Sequence, residues 1–160
     1  MSRVETATPD SFAWNDGLLV GHGPMDETHR EFVDLVKILL ACAPGEALAP
    51  LREFEAHARR HFAQEDEWMR TTAFPPWECH VDEHAKVLLS VQEVTATVAA
   101  GQADADLAHD LAQHLADWLP AHTAYMDSAL ATWIAKRTHG GAPVVLRRDA
   151  AKAENAREDR

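Results

Sequence analysis

The chain has 160 residues, 46% of them hydrophobic, which is enough for one well-buried core but short for two. Its formal net charge of −11 opposes binding to phosphate backbones and to anionic lipid, so we expect no nucleic-acid partner. No apolar run approaches the roughly 18 residues of a membrane helix, and the first residues lack the apolar stretch of a signal peptide, so we predict no membrane insertion and a cytoplasmic location.

Four segments have apolar residues at helical spacing, and almost nothing in the chain favours a strand. Prolines or glycines lie between consecutive segments and end each helical pattern. Four helices with short connections predict an all-α fold, an up-down-up-down antiparallel four-helix bundle. In chain order, the segments cover about residues 25–43, 47–70, 77–100 and 104–136.

Two flanking segments lie outside the predicted bundle. Residues 1–24 form an N-terminal arm, which we group with the bundle in one domain of residues 1–137. Residues 138–160 contain Gly140-Gly141 and are rich in charge, which predicts a flexible C-terminal tail. We find no internal repeat and no sustained heptad, and we expect a monomer.

Histidines and acidic residues interrupt the apolar faces of all four segments. Residues four apart project from one face of a helix, so His61 is paired with Glu65, and His80 with His84. At about 1.5 Å per residue, these and three further polar residues fall toward one end of an antiparallel bundle, which scattered core histidines have no reason to do. The set is His29, His61, Glu65, His80, His84, His122 and Asp127.

A metal site explains why such residues would be buried together. Five imidazoles and two carboxylates are costly in an apolar core unless another group binds their lone pairs and balances their negative charge. Imidazole suits first-row metals such as iron, zinc, copper and nickel, and a carboxylate can bridge two ions. Because a tetrahedral zinc ion takes about four ligands, the set predicts two metal ions with room for an external ligand.

The motifs distinguish between families of two-metal proteins. Ferritin-like proteins use Glu-x-x-His, but no Glu in this chain has a His three residues later, and the HExxH motif of zinc proteases is absent too. The chain instead contains "DETH", "HFAQE", "HVDEH" and "HTAYMD" in that order. This series resembles the hemerythrin family, and within it the stand-alone bacteriohemerythrins, over about residues 14–133.

The resemblance implies a role for each residue of the set. It implies two iron ions, one held by His80, His84 and His122, the other by His29 and His61, with Glu65 and Asp127 bridging them. O₂ would bind at an open position of the second iron, in an apolar pocket that includes Phe62 and Leu119. Trp118, His22 and His114 are candidates for contact with the ligands or for lining an access path, whereas we expect His57, His109 and His139 to lie at the surface or to have no role.

The resemblance further implies reversible O₂ binding for storage, delivery or scavenging, by a protein that is not an enzyme. An oxygen-consuming enzyme or a reductase would be its partner. Two alternatives stay open: a di-iron redox enzyme that reduces peroxide or nitric oxide, and an oxygen or redox sensor at the same site. His22 and His114 are the features that would favour the enzyme, because apolar walls offer few other proton donors.

One spacing does not fit an ideal helix. His122 and Asp127 are five residues apart, and at about 100° per residue their side chains would point roughly 140° away from each other. Pro120 lies just upstream and cannot donate a hydrogen bond to the Ala116 carbonyl. We therefore predict a kink or a single π-type turn between about residues 116 and 127 that brings both side chains inward.

Overall fold

The computed structural model describes residues 12–139, with the backbone alone at His139. Consecutive helices pack as neighbours, and the first helix packs on the fourth, which closes the bundle. The predicted all-α four-helix bundle is confirmed, and residues 12–139 contain no strand. The helices are α1 (Gly23–Ala41), α2 (Leu48–Thr71), α3 (Trp77–Ala99), α4 (Ala105–His122) and α5 (Ser128–His139), with α4 and α5 joined through a helical turn, Thr123–Asp127, into one fourth helix.

The observed helix bounds differ slightly from the expected ones. The fourth helix continues to His139, past the predicted domain boundary at residue 137. A short 3-10 helix, Asp16–Leu18, precedes α1 in the predicted arm. Residues 1–11 of the arm and residues 140–160 of the predicted tail lie outside the described residues.

Two apolar clusters fill the interior of the bundle. The large apolar cluster includes Phe32, Val36, Leu51, Phe54, Phe62, Leu115 and Leu119. The small apolar cluster consists of Met25, Met69, Phe74, Leu130 and Ala131. His29 on α1, Glu65 on α2, and His122 and Asp127 on the fourth helix fall between the members of one cluster and those of the other, so polar residues separate the two. None of the described helices combines the length and hydropathy of a membrane span.

The turn Thr123–Asp127 is π-helical, as the spacing of His122 and Asp127 predicts. Both side chains point inward, with His122 3% and Asp127 0% exposed. The Thr123 carbonyl accepts from the Ser128 backbone N–H across the wider turn and also from the Ser128 hydroxyl at 2.9 Å. The predicted π-type turn is therefore confirmed, and it places two polar side chains on one face.

Asp26 joins the N-terminal arm to α1. Its carboxylate accepts hydrogen bonds from the backbone N–H groups of Val20 (2.8 Å) and Gly21 (3.2 Å). Gly21 has φ 84°, a left-handed conformation that favours glycine.

We expect Asp26→Ala to lower the free energy of unfolding by about 1–3 kcal/mol, because the backbone N–H groups of Val20 and Gly21 lose their acceptor. Urea unfolding measures this loss. Asp34→Ala, at an exposed position of α1, is the control, and equal losses in the two variants would contradict the prediction.

Candidate metal centre

The structure brings all seven predicted ligands together between the two apolar clusters. Each of the seven is at most 4% exposed. Their role as metal ligands stays a prediction, but their common location does not depend on it. α1 supplies His29, α2 supplies His61 and Glu65, α3 supplies His80 and His84, and the fourth helix supplies His122 and Asp127.

The two oxygens of Glu65 face different histidines. Oε1 lies 2.7 Å from His61 Nε2 and 3.4 Å from His29 Nε2. Oε2 lies 3.1 Å from His84 Nε2 and 3.3 Å from His80 Nε2. Glu65 therefore lies between a two-histidine group (His29 and His61) and a group on its other side that contains His80 and His84.

Asp127 repeats this division. Its Oδ2 lies 3.0 Å from His29 Nε2. Its Oδ1 lies 2.9 Å from His80 Nε2 and 3.1 Å from His122 Nε2. His122 thus completes a three-histidine group (His80, His84 and His122), and each carboxylate has one oxygen toward each group.

The inward-facing polar atoms fit metal ions. The Nε2 atoms of four histidines and both Asp127 oxygens lie close together but make no hydrogen bond within the described residues. The four are His29, His80, His84 and His122. A buried polar atom without a partner costs about 1–3 kcal/mol. Metal ions would bind these converging lone pairs. Potential ligand atoms that lie within 4.8 Å of one another form two sets. The first set combines the three-histidine group with Glu65 and Asp127, and the second combines the two-histidine group with Glu65.

The electrostatics of the centre also favours cations. Burial lowers the pKa of His29, but contacts with Asp127 and Glu65 outweigh it and raise this pKa to about 9. The pKa of His80 is raised to about 9 by the same balance of burial and carboxylate contacts. Burial raises the pKa of Glu65, but the surrounding histidines hold it well below its usual range. Glu65 is therefore ionised and stabilises positive charge beside it.

Residues 21–134 match the family described as Hemerythrin HHE cation binding domain. The chain belongs to the hemerythrin family. A bacteriohemerythrin from Ralstonia nicotianae is 34% identical over 124 residues, covering 78% of this chain and 89% of that protein. The predicted resemblance to this family and to its bacteriohemerythrins is thereby confirmed. The hemerythrin domain binds a cation, and all seven polar residues fall inside the match, so the buried centre is a cluster that could hold the metal.

Aromatic rings border the hemerythrin centre. Phe62 stacks on His84, with ring centroids 4.1 Å apart and planes 9° apart. Trp118 stacks on His122 at 4.2 Å and 22°. The predicted pocket residues Phe62 and Leu119 both lie in the large apolar cluster, so the wall beside the centre is apolar.

Two of the candidates for a role beside the ligands, His22 and His114, neither stack on nor hydrogen-bond to any of the seven polar residues within the described part of the chain. His22 accepts a hydrogen bond from the Met25 backbone N–H at 3.3 Å, which caps α1, and its ring packs on Trp68. His114 is exposed and lines a groove of about 400 Å³ between α3 and α4. Of the three candidates, Trp118 alone is stacked on a member of the metal centre.

His57 was expected to lie at the surface or to have no role; it is buried, so the surface position is wrong. It is 2% exposed, and its ring lies 5.4 Å from that of His61. Burial, together with nearby positive charge, lowers the pKa of His57 to about 4, so it is neutral. The signal was available, because His57 precedes His61 by four residues and shares its helix face.

Three further residues beside the hemerythrin centre were missed. Phe32 lies against His61, with ring centroids 6.1 Å apart. It follows His29 by three residues, so helical spacing could have identified it. Asp66 and Glu83 contact the outer nitrogens of His84 and His122. They are sequence neighbours of predicted ligands, but no spacing rule joins them to these histidines.

Proposed function

We propose that the centre holds two iron ions and that the protein binds O₂ reversibly there. The three-histidine group would hold one iron, the two-histidine group would hold the other, and Glu65 and Asp127 would bridge them. The observation that carries this proposal is the division of both carboxylates, each with one oxygen toward each histidine group. When bound, two ferrous ions supply the electrons that O₂ takes up.

The unequal histidine groups indicate where O₂ would bind. With both carboxylates bridging, the three-histidine group offers five donor atoms to its ion, and the two-histidine group offers four. An octahedral ion has about six positions, so the ion of the two-histidine group has the larger opening for an external ligand. Phe32 and His61 lie in contact on this side of the centre, which keeps the opening in apolar surroundings.

Binding without turnover is favoured over an enzyme by the positions of two histidines. Reduction of peroxide or nitric oxide requires proton donors near the bound ligand. His22 uses its Nδ1 to cap α1, and His114 is exposed on the groove between α3 and α4. Among the described residues, neither histidine makes a hydrogen bond to any of the seven polar residues of the centre, which is what a proton donor to a bound ligand would need to approach. The name of the Ralstonia relative, a bacteriohemerythrin, supports the same choice.

The proposal includes a use for O₂ binding and the partners that this use would require. O₂ binding would serve storage, delivery to an oxygen-consuming enzyme, or scavenging, and a reductase would return oxidised iron to the ferrous state. The single domain of residues 1–137, the monomeric state and the cytoplasmic location stay predictions.

Anaerobic reconstitution with ferrous iron tests the proposal. We expect two irons per chain, and charge-transfer absorption bands that appear when O₂ is added and vanish when it is removed. Immediate and irreversible oxidation would favour a redox enzyme or a sensor at the same site. A chain that fails to hold two irons would contradict the assignment of the seven ligands.

A further inference from the structure

Two histidines of the three-histidine group contact carboxylates at their outer nitrogens. His84 Nδ1 lies 3.1 Å from Asp66 Oδ1 and donates a hydrogen bond to it. His122 Nδ1 faces Glu83 Oε2 at 3.6 Å. An outer carboxylate retains the proton on Nδ1, leaves the Nε2 lone pair free for a metal, and makes that nitrogen more basic.

The same two rings are also fixed from the side. Phe62 stacks on His84 and Trp118 stacks on His122, so each ring plane has an aromatic support. The Trp118 Nε1 N–H donates to Glu83 Oε1 at 3.1 Å. Glu83 therefore contacts both members of the stacked pair Trp118 and His122 through its two oxygens.

The two-histidine group differs in this respect. Among the described residues, the buried Nδ1 atoms of His29 and His61 make no hydrogen bond and face no carboxylate. The Nδ1 atoms of His80 and His122 make no hydrogen bond either, but that of His122 faces Glu83. The outer carboxylates are thus concentrated on the group that already offers more donor atoms. The outer carboxylates and the larger number of donor atoms both increase the affinity of the three-histidine group for a cation.

We propose that Asp66 and Glu83 are positioning residues that make the three-histidine group the tighter of the two metal sites. The inference rests on the proposed two-metal centre and adds the order in which its sites fill. The first metal ion binds the three-histidine group, and the second binds the two-histidine group more weakly. Metal loss follows the reverse order.

Isosteric substitution of these carboxylates is expected to leave the packing of the interior unchanged. The Asp66 side chain is 40% exposed and the Glu83 side chain is 33% exposed, so neither fills a core position. Asp66→Asn and Glu83→Gln retain shape and remove charge. Asp82→Asn is the matched control, because Asp82 is an exposed acidic residue of α3 beside Glu83.

Titration of the metal-free chain with Co²⁺, in competition with a coloured chelator, tests the proposal. We expect the wild-type chain to bind two Co²⁺ in a tight and a weak step, with visible bands typical of histidine ligation. Asp66→Asn and Glu83→Gln should weaken the tight step by about 10–100-fold and shift its bands, while the weak step stays unchanged. Asp66→Ala should weaken the tight step further, because the amide still orients His84 and alanine does not.

Three results would overturn the inference. In the first, Asp66→Asn and Glu83→Gln bind Co²⁺ like Asp82→Asn in both steps. In the second, their loss of Co²⁺ affinity is confined to the weak step, which would mean that the carboxylates act on the two-histidine group instead. A wild-type chain that binds fewer than two Co²⁺ would overturn the two-metal proposal and this inference with it, and the stoichiometry distinguishes that failure from the other two. Circular dichroism of each variant checks that it is folded.

Discussion

Glu65→Gln is expected to reduce the metal content from two ions per chain to one at most. Glu65 approaches four histidine Nε2 atoms, two in each group, and it is fully buried. A glutamine has no charge, and its amide nitrogen cannot bind a metal in place of the second oxygen. Because removal of one partner from a buried ionic contact costs about 3–5 kcal/mol, the affinity for the remaining ion should fall by at least about 100-fold.

Elemental analysis after equilibration with ferrous iron under anaerobic conditions measures this change. Glu67→Gln is the matched control, because it makes the same substitution two residues away. Glu67 is exposed and pairs with Arg70 at 2.6 Å, away from the centre. The control should keep two ions. A Glu65→Gln protein that also keeps two ions would show that Glu65 does not bridge them.

Removal of the metal is expected to lower the thermal midpoint of unfolding by about 10 °C or more. The ligands come from all four helices of the bundle, so the unfolded chain cannot present them together, and metal binding adds directly to the free energy of unfolding. A ligand at 1,000 times its dissociation constant contributes about 4 kcal/mol, and each kcal/mol shifts the midpoint of a chain this size by about 2–4 °C.

Thermal unfolding followed by circular dichroism, with saturating Co²⁺ or with excess chelator, measures the effect. In Glu65→Gln the difference between the two conditions should be much smaller, since this variant binds metal poorly in both. Equal midpoints for the wild-type protein with and without chelator would mean that the metal does not join the helices in the folded state.

Local spacing accounts for what could be predicted from the sequence. His61 with Glu65, and His80 with His84, lie one helical turn apart, so the period of the helix alone places each pair on one face. The five-residue spacing of His122 and Asp127 conflicts with that period, and the conflict itself predicts the π turn that the structure contains. In both cases the relevant residues lie on a single helix.

Contacts between helices could not be predicted in this way. Asp66 meets His84 across 18 residues, and Trp118 donates to Glu83 across 35. Such contacts depend on how each helix is rotated about its axis and on side-chain rotamers, which the sequence pattern does not specify. The burial of His57 was missed for a different reason, because its four-residue spacing to His61, which places both on one helix face, was not used.

The position of the polar centre between two apolar clusters makes the interior selective by polarity. O₂ is a small neutral molecule that dissolves more readily in hydrocarbon than in water, so the apolar walls formed by residues such as Phe32, Phe62 and Leu119 would admit it without loss of solvation. An anion leaving by the same route would lose its hydration without gaining a partner, which is costly in such surroundings. If the proposed iron centre binds O₂, the packing of the bundle would act as a partition barrier that passes the neutral gas and retains charge beside the ions.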